Sequence, residues 1–296
     1  MRKIFIVMGT KGGAGKTHLV VEFLPLALLA LTDKRDDLKI DIALIDSNNK
    51  QNFGFINNSN LKVVEKIKAT NKYSVNQLTD VLMFNYRNIK SEDNHYLIID
   101  VGGGDDTNIM IDAFSKTNID DDAIFFVPFF INEEYIEGAI NTIRKIRKKV
   151  PNAKIAAVAI NREEVIEDEA EARGVPLKEV VKEHVNEFLK NRASDENYLF
   201  ENIDAFLVLP DFSEACAYAK DGKVMFYDVF YVLMRSLTFK DEMKELDEEI
   251  DGEEITDSTR AKYKQKREML LARYSFYDVF RALSKDFAKD LLDAIR

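Results

Sequence analysis

A glycine-rich turn set between an apolar strand and an apolar helix constrains this chain more than any other feature. Residues 8–18 read Met-Gly-Thr-Lys-Gly-Gly-Ala-Gly-Lys-Thr-His. Ile4-Phe5-Ile6-Val7-Met8 before the turn has the continuous apolar character of a buried strand, and Leu19-Val20-Val21 with Phe23-Leu24 after it continues as a buried helix. Strand, turn and helix in this order make a phosphate cradle. Gly12, Gly13 and Gly15 let successive backbone N–H groups point at phosphate oxygens, Lys16 reaches the β- and γ-phosphates, and the Thr17 hydroxyl sits on Mg²⁺. The helix that starts there adds its positive end. The turn departs from the strict Walker pattern, with Thr10 where the first glycine belongs and a second lysine, Lys11, inside the loop.

The rest of the chain supplies an α/β framework for such a turn. Nearly continuous apolar runs at 3–8, 40–46, 96–101, 123–128, 155–160 and 205–209 read as strands of a mostly parallel sheet with helices on both faces. Asn132 to Val150 is amphipathic, with Ile136, Ile140, Ile143 and Ile146 at helical spacing, and Pro151 ends it. Pro176 opens a further helix to about Arg192, and Pro25 predicts a kink or an early stop in the first helix. Asn48 to Asn60 holds six asparagines with little periodicity and reads as a mobile loop.

Three further stretches give the loop a family. Lys11-Gly12-Gly13-Ala14-Gly15-Lys16-Thr17 resembles the deviant Walker A motif of the ParA/MinD family of ATPases, which also includes the nitrogenase iron protein. Ile42-Ala43-Leu44-Ile45-Asp46 with Ser47 to Gln51 resembles that family's second strand and switch I. Tyr96-Leu97-Ile98-Ile99-Asp100 with Val101 to Asp105 resembles Walker B and switch II. Leu207 to Asp211, then Glu214-Ala215 and Gly222-Lys223-Val224, is similar to the segment that embraces the adenine. The resemblance spans about residues 1–230 and leaves 231–296 as a helical extension with an acidic linker.

The resemblance implies a three-layer P-loop NTPase that binds ATP and Mg²⁺ and switches from monomer to an ATP-sandwich homodimer. Lys11 would cross to the nucleotide of the second subunit, joining Lys16, Asp46 and Asn48 as the catalytic set. Gly12, Gly13, Ala14, Gly15, Lys16, Thr17 and His18 would hold the phosphates, with Pro210 and Asp211 at the adenine. Thr17 and Asp100 would hold the metal, a hard carboxylate suiting a hard cation. Asn161 either presents its amide to the adenine edge or caps the next turn. His18 either donates to the α-phosphate or packs on the first helical turn. Asn48 stands where the family has a second aspartate that places the attacking water. An amide cannot carry that charge, so hydrolysis is expected to be slow or to need a partner.

Cargo is less legible. Plasmid partition, conjugative transfer and MinD-like positioning are all roles of such switches, and a slow or non-hydrolysing regulator or adaptor is the alternative. The net charge of −10 opposes DNA binding, and the local run Arg144-Lys145-Ile146-Arg147-Lys148-Lys149 is either a nonspecific DNA patch or a solvated helix face. A membrane role is unlike the last helix, whose polar face mixes Lys285 and Lys289 with Asp278, Asp286, Asp290 and Asp293. Its apolar stripe of Leu283, Phe287, Leu291 and Ile295 suits docking on the main domain or on a protein partner. Residues 241–257 carry ten acidic groups against Lys244, and Arg260, Lys262, Lys264, Lys266 and Arg267 follow as an opposed block able to pair with them. A lone Cys216 and three scattered histidines exclude a disulfide and a cysteine-based zinc cage. No cleavable leader is recognisable, and a cytoplasmic location is expected.

Overall fold

The computed structural model of the chain describes residues 4–31, 38–46, 62–68, 74–89, 94–190, 198–211, 244, 246–248, 250 and 256–295. Strand β1 (Ile4–Val7) is its axis, because four consecutive apolar side chains are each 0% exposed. It lies between β4 (His95–Val101) and β5 (Ala123–Phe130), parallel to both. Beyond β4 come β2 (Lys39–Asp46) and β3 (Lys62–Lys68), and beyond β5 come β6 (Lys154–Ile160) and β7 (Ala205–Leu209). The seven strands run in the order β3-β2-β4-β1-β5-β6-β7, every pairing parallel. After β4 the chain crosses β1 to build the other half of the sheet. The carboxyl end of β1 therefore lies at the switch point where open α/β sheets keep their crevice.

Both faces of the central sheet are covered, so β1, β5 and β6 are almost wholly apolar. Phe5 and Val7 face one layer of helix, made of α1 (Lys16–His18), a π-helical turn over Leu19–Phe23 and α2 (Leu24–Leu31). Ile4 and Ile6 face the other, where α3 (Val75–Asn88), α4 (Asp105–Phe114), α5 (Glu133–Lys149), α6 (Glu164–Arg173) and α7 (Leu177–Lys190) pack. A single turn, α8 (Tyr198–Glu201), precedes β7. The first helix does not stop at Pro25. Leu24 donates to Leu19 O, five residues back, so an extra residue enters the turn just before the proline. Such a π turn is a common accommodation of an interrupted ladder.

The C-terminal helical region contains α9 (Asp257–Ile295), which packs against α2 and β7. Phe287, Ala288 and Leu291 are buried in the same cluster as Phe5, Val7 and Leu24, so this stretch docks on the main sheet. Lys178 of α7 meets Asp290 at 2.8 Å beside it. Near the other end of α9, Arg267 pairs with Asp247 at 2.6 Å, joining the basic and acidic blocks. Leu291 is 0% exposed. Leu291→Ala should therefore cost about 2–5 kcal/mol in urea unfolding, the range for a buried leucine. A change below about 0.5 kcal/mol, typical of surface positions, would show that this helix end is not part of the cooperative fold.

Sequence periodicity misses β3. It pairs with β2 from Asp41↔Lys62 to Asp46↔Lys68, with a register shift between Ile42 and Ala43. Its charged residues suit an edge strand, where lysine discourages pairing with other chains. The asparagine-rich stretch 48–60 lies outside the described residues.

Candidate functional site

The register Val7↔Asp100 between β1 and β4 places a carboxylate beside the start of the glycine-rich turn. Thr17, one residue into α1, donates its hydroxyl to Asp100 Oδ2 at 2.8 Å. The turn reaches that position through Gly15, whose φ of 75° lies in the left-handed region. A Cβ there would sit 2.6 Å from Ile160 Cδ1. Glycine is thus required twice at this residue, by its backbone angle and by its surroundings. Lys16 is only 9% exposed and folds back across the turn, donating to Lys11 O at 3.0 Å. An ammonium, two hard oxygen donors and the N-terminal turn of a helix thereby lie together at the end of β1.

Thr10 explains the missing first glycine of the motif. Its N–H donates to Thr142 Oγ1 at 3.0 Å and its hydroxyl to Gly138 O at 3.1 Å, both on α5. Its carbonyl accepts from Gly104 N at 3.2 Å, tying the turn to the loop after β4. Thr107, fully buried, donates to both Gly102 O at 2.9 Å and Gly9 O at 3.2 Å. Gly102 N in turn donates to Ile45 O at 2.7 Å, bringing the end of β2 to the same place. Asp46 is the last residue of β2, and Asn48 lies outside the described residues.

Lys11 points to the outer side of the turn. It pairs with Glu134 of α5 and lies 6.0 Å from the Tyr135 ring centroid. The Tyr135 hydroxyl donates to Gly12 O at 3.4 Å, and Gly138 admits Lys11 so closely that a Cβ there would be 3.3 Å from Lys11 Cβ. Sequence reasoning misses all of these α5 partners, which stand more than 120 positions from the turn. The one signal is the small, polar pair Gly138 and Thr142, one helical turn apart on an otherwise isoleucine-rich helix.

Asn161 lies at the end of β6, beside the end of β7. Asn161 is 1% exposed, and its amide is fully engaged by the chain. Oδ1 accepts from Glu163 N at 3.1 Å, while Nδ2 donates to Glu163 O at 3.0 Å and Glu167 Oε1 at 3.1 Å. Of the two roles open to Asn161, these bonds are those of the cap of the next turn. Glu167 Oε1 also accepts from Asp211 N at 2.6 Å, so one carboxylate ties the two strand ends together. Pro210 is buried at this corner. Arg162 is exposed, its guanidinium carbon 3.7 Å from the centroid of Phe130. His18 reaches solvent at the first helical turn, and loss of water around the ring, followed by the charge on Arg162, lowers its pKa.

The basic run on α5 divides between exposed lysines, Lys145, Lys148 and Lys149, and two half-buried arginines. Arg147 donates to Asn202 O, Pro151 O and Ala153 O and meets Asp204 at 3.0 Å, clamping the entry to β6. Arg144 lies 4.5 Å from the Tyr198 ring, Lys145 donates to Asn108 Oδ1, and Lys149 pairs with Asp112. Among the described residues there is no group of three metal-ligating side chains, and no helix is long and apolar enough to cross a membrane.

No model of a known protein family matches the chain, and no curated protein matches it. Among solved structures it is similar to a plasmid partition protein from Borrelia burgdorferi, with a TM-score of 0.37 and 14% sequence identity over 64% of this chain and 99% of that one.

Proposed function

We propose that this chain is an ATP-binding switch of the deviant Walker A type, in which Mg²⁺-ATP joins two copies and slow hydrolysis separates them. The observation that carries this reading is the contact of Thr17 with Asp100 at 2.8 Å, beneath a left-handed Gly15 and beside the buried Lys16. The donor set fits the implied group: a hydroxyl and a carboxylate suit a small hard cation, and a lysine at a helix N-terminus suits its phosphates. Bound Mg²⁺ would neutralise developing charge on the β- and γ-phosphates. Thr17 and Asp100 would orient the ion, Lys16 would hold the phosphate oxygens, and the turn Gly102 to Gly104 would respond to their loss. Lys11 would leave Glu134 and reach the nucleotide of the other copy. An exposed ion pair of this kind is worth about 0–1 kcal/mol, so little opposes the exchange.

Size measurement with ATP, with ADP and without nucleotide tests the proposal. ATP with Mg²⁺ should convert monomer to dimer, and an unchanged monomer in all three conditions overturns it. Lys11→Ala should bind ATP within about threefold of the native chain, since an exposed pair contributes little, yet remain monomeric.

Asn48 favours a second reading, a regulator that scarcely hydrolyses. Phosphate release from the native chain and from Asn48→Asp separates the two, because brisk native turnover removes the regulator. The engagement of Arg147 by three carbonyls and Asp204 takes that residue out of a DNA surface and leaves the exposed Lys145, Lys148 and Lys149 as its remainder. A protein partner in a partition, transfer or positioning system in the cytoplasm completes the proposal.

A further inference from the structure

We propose that the exposed guanidinium of Arg162, supported from beneath by Phe130, is the platform on which the purine base of the bound nucleotide stacks. This rests on the nucleotide-binding reading above and names how the nucleoside end of the ligand would be held. Three observations carry it. The amide of Asn161 is spent within the protein and only 1% exposed, so base-edge recognition is not offered there. The next residue, Arg162, faces solvent and, among the described residues, pairs with no carboxylate. Its guanidinium carbon lies 3.7 Å from the Phe130 ring centroid, so the ring backs the cation on one side while the residue itself is exposed.

Phe130 fixes this platform relative to the turn. Its ring is edge-on to Tyr135 at 5.0 Å, and Phe130 Cζ would lie 3.8 Å from a Cβ on Gly15. Arg162 is thus one ring away from the last glycine of the phosphate loop. A triphosphate that puts its terminal groups at Lys16 and Thr17 leaves its α-phosphate and nucleoside toward His18 and the ends of β6 and β7. The base then meets a flat, rigid, cationic surface. Stacking of this kind needs the plane of the guanidinium as well as its charge, a property lysine lacks.

Calorimetry on the full chain with ATP, ADP and inorganic tripolyphosphate, each with Mg²⁺, tests the assignment. Arg162→Ala and Arg162→Lys should each weaken ATP and ADP by about tenfold, the scale of one stacked contact. Tripolyphosphate, which has no base, should bind both variants as it binds the native chain. Parallel weakening of tripolyphosphate overturns the proposal in favour of a phosphate contact, and full recovery of ATP affinity by Arg162→Lys overturns it in favour of charge alone. Native-like ATP affinity in both variants overturns it while leaving nucleotide binding intact. Failure of the native chain to bind ATP overturns both readings together.

Discussion

Lys16→Ala should remove nucleotide binding, raising the ATP dissociation constant about 100-fold or more while leaving the fold in place. The side chain is 9% exposed and its ammonium lies across the turn on Lys11 O, next to the contact between Thr17 and Asp100. Hydrogen bonds from a charged donor contribute about 1.5–3 kcal/mol each. Losing one or two to phosphate oxygens gives the predicted change, at about 1.4 kcal/mol per factor of ten. The unliganded protein loses chiefly the bond to Lys11 O, which is worth about 0.5–3 kcal/mol. Calorimetry with Mg²⁺-ATP, paired with urea unfolding in the absence of nucleotide, separates the two effects. ATP affinity within threefold of the native value would show that this lysine does not face the phosphates.

Gly15→Ala should be the most destabilising alanine substitution among the described glycines, costing about 2–5 kcal/mol. Left-handed backbone costs an L-residue roughly 1–2 kcal/mol, and overpacking adds about 1–3 kcal/mol. Here φ is 75° and the new Cβ would meet Ile160 Cδ1 at 2.6 Å. The two contributions can be separated, because Ile160→Val deletes the obstructing methyl. Gly15→Ala in that background should regain about 1–2 kcal/mol, leaving the backbone strain. Gly13→Ala is the internal comparison, with the same φ of 75° but a Cβ that meets only the Tyr135 hydroxyl at 3.3 Å. It should cost about 1–2 kcal/mol. Equal costs at the two glycines in urea unfolding would remove Ile160 from the explanation.

Much of the architecture was legible because buried parallel strands are apolar on both faces, as Phe125 to Val127 and Ile155 to Ile160 are. What escaped follows from the same logic. Lys62–Lys68 lies at an edge, so it carries charge and never forms a continuous apolar run. Helix α3 starts at a capping box of Ser74 and Gln77 that the sequence did contain, but its polar face diluted the apolar signal. At the candidate site, the local elements were readable: the turn, Thr17 and the carboxylate at the end of a strand. Contacts made across more than a hundred positions were not, since Glu134, Tyr135 and Thr142 look like ordinary helix residues until α5 is laid against the turn. Arg147 shows the converse. Its charge suggested a ligand surface, and only the fold reveals three carbonyls and Asp204 waiting for it.

Thr10 leaves the glycine-rich segment without independent play. It is fastened to the mid-portion of α5 through Thr142 and Gly138, and to Gly104 on the other side. A displacement of Gly104 must either part it from Thr10, at about 1 kcal/mol for one neutral hydrogen bond, or drag α5 with it. That helix has 17 residues, about 25 Å of stiff rod. Its far turn is gripped by Arg147 against Asp204, next to β7. One helix therefore bridges the phosphate turn at one rim and the entry to β6 at the opposite rim, with Thr142 and Arg147 as its two points of attachment.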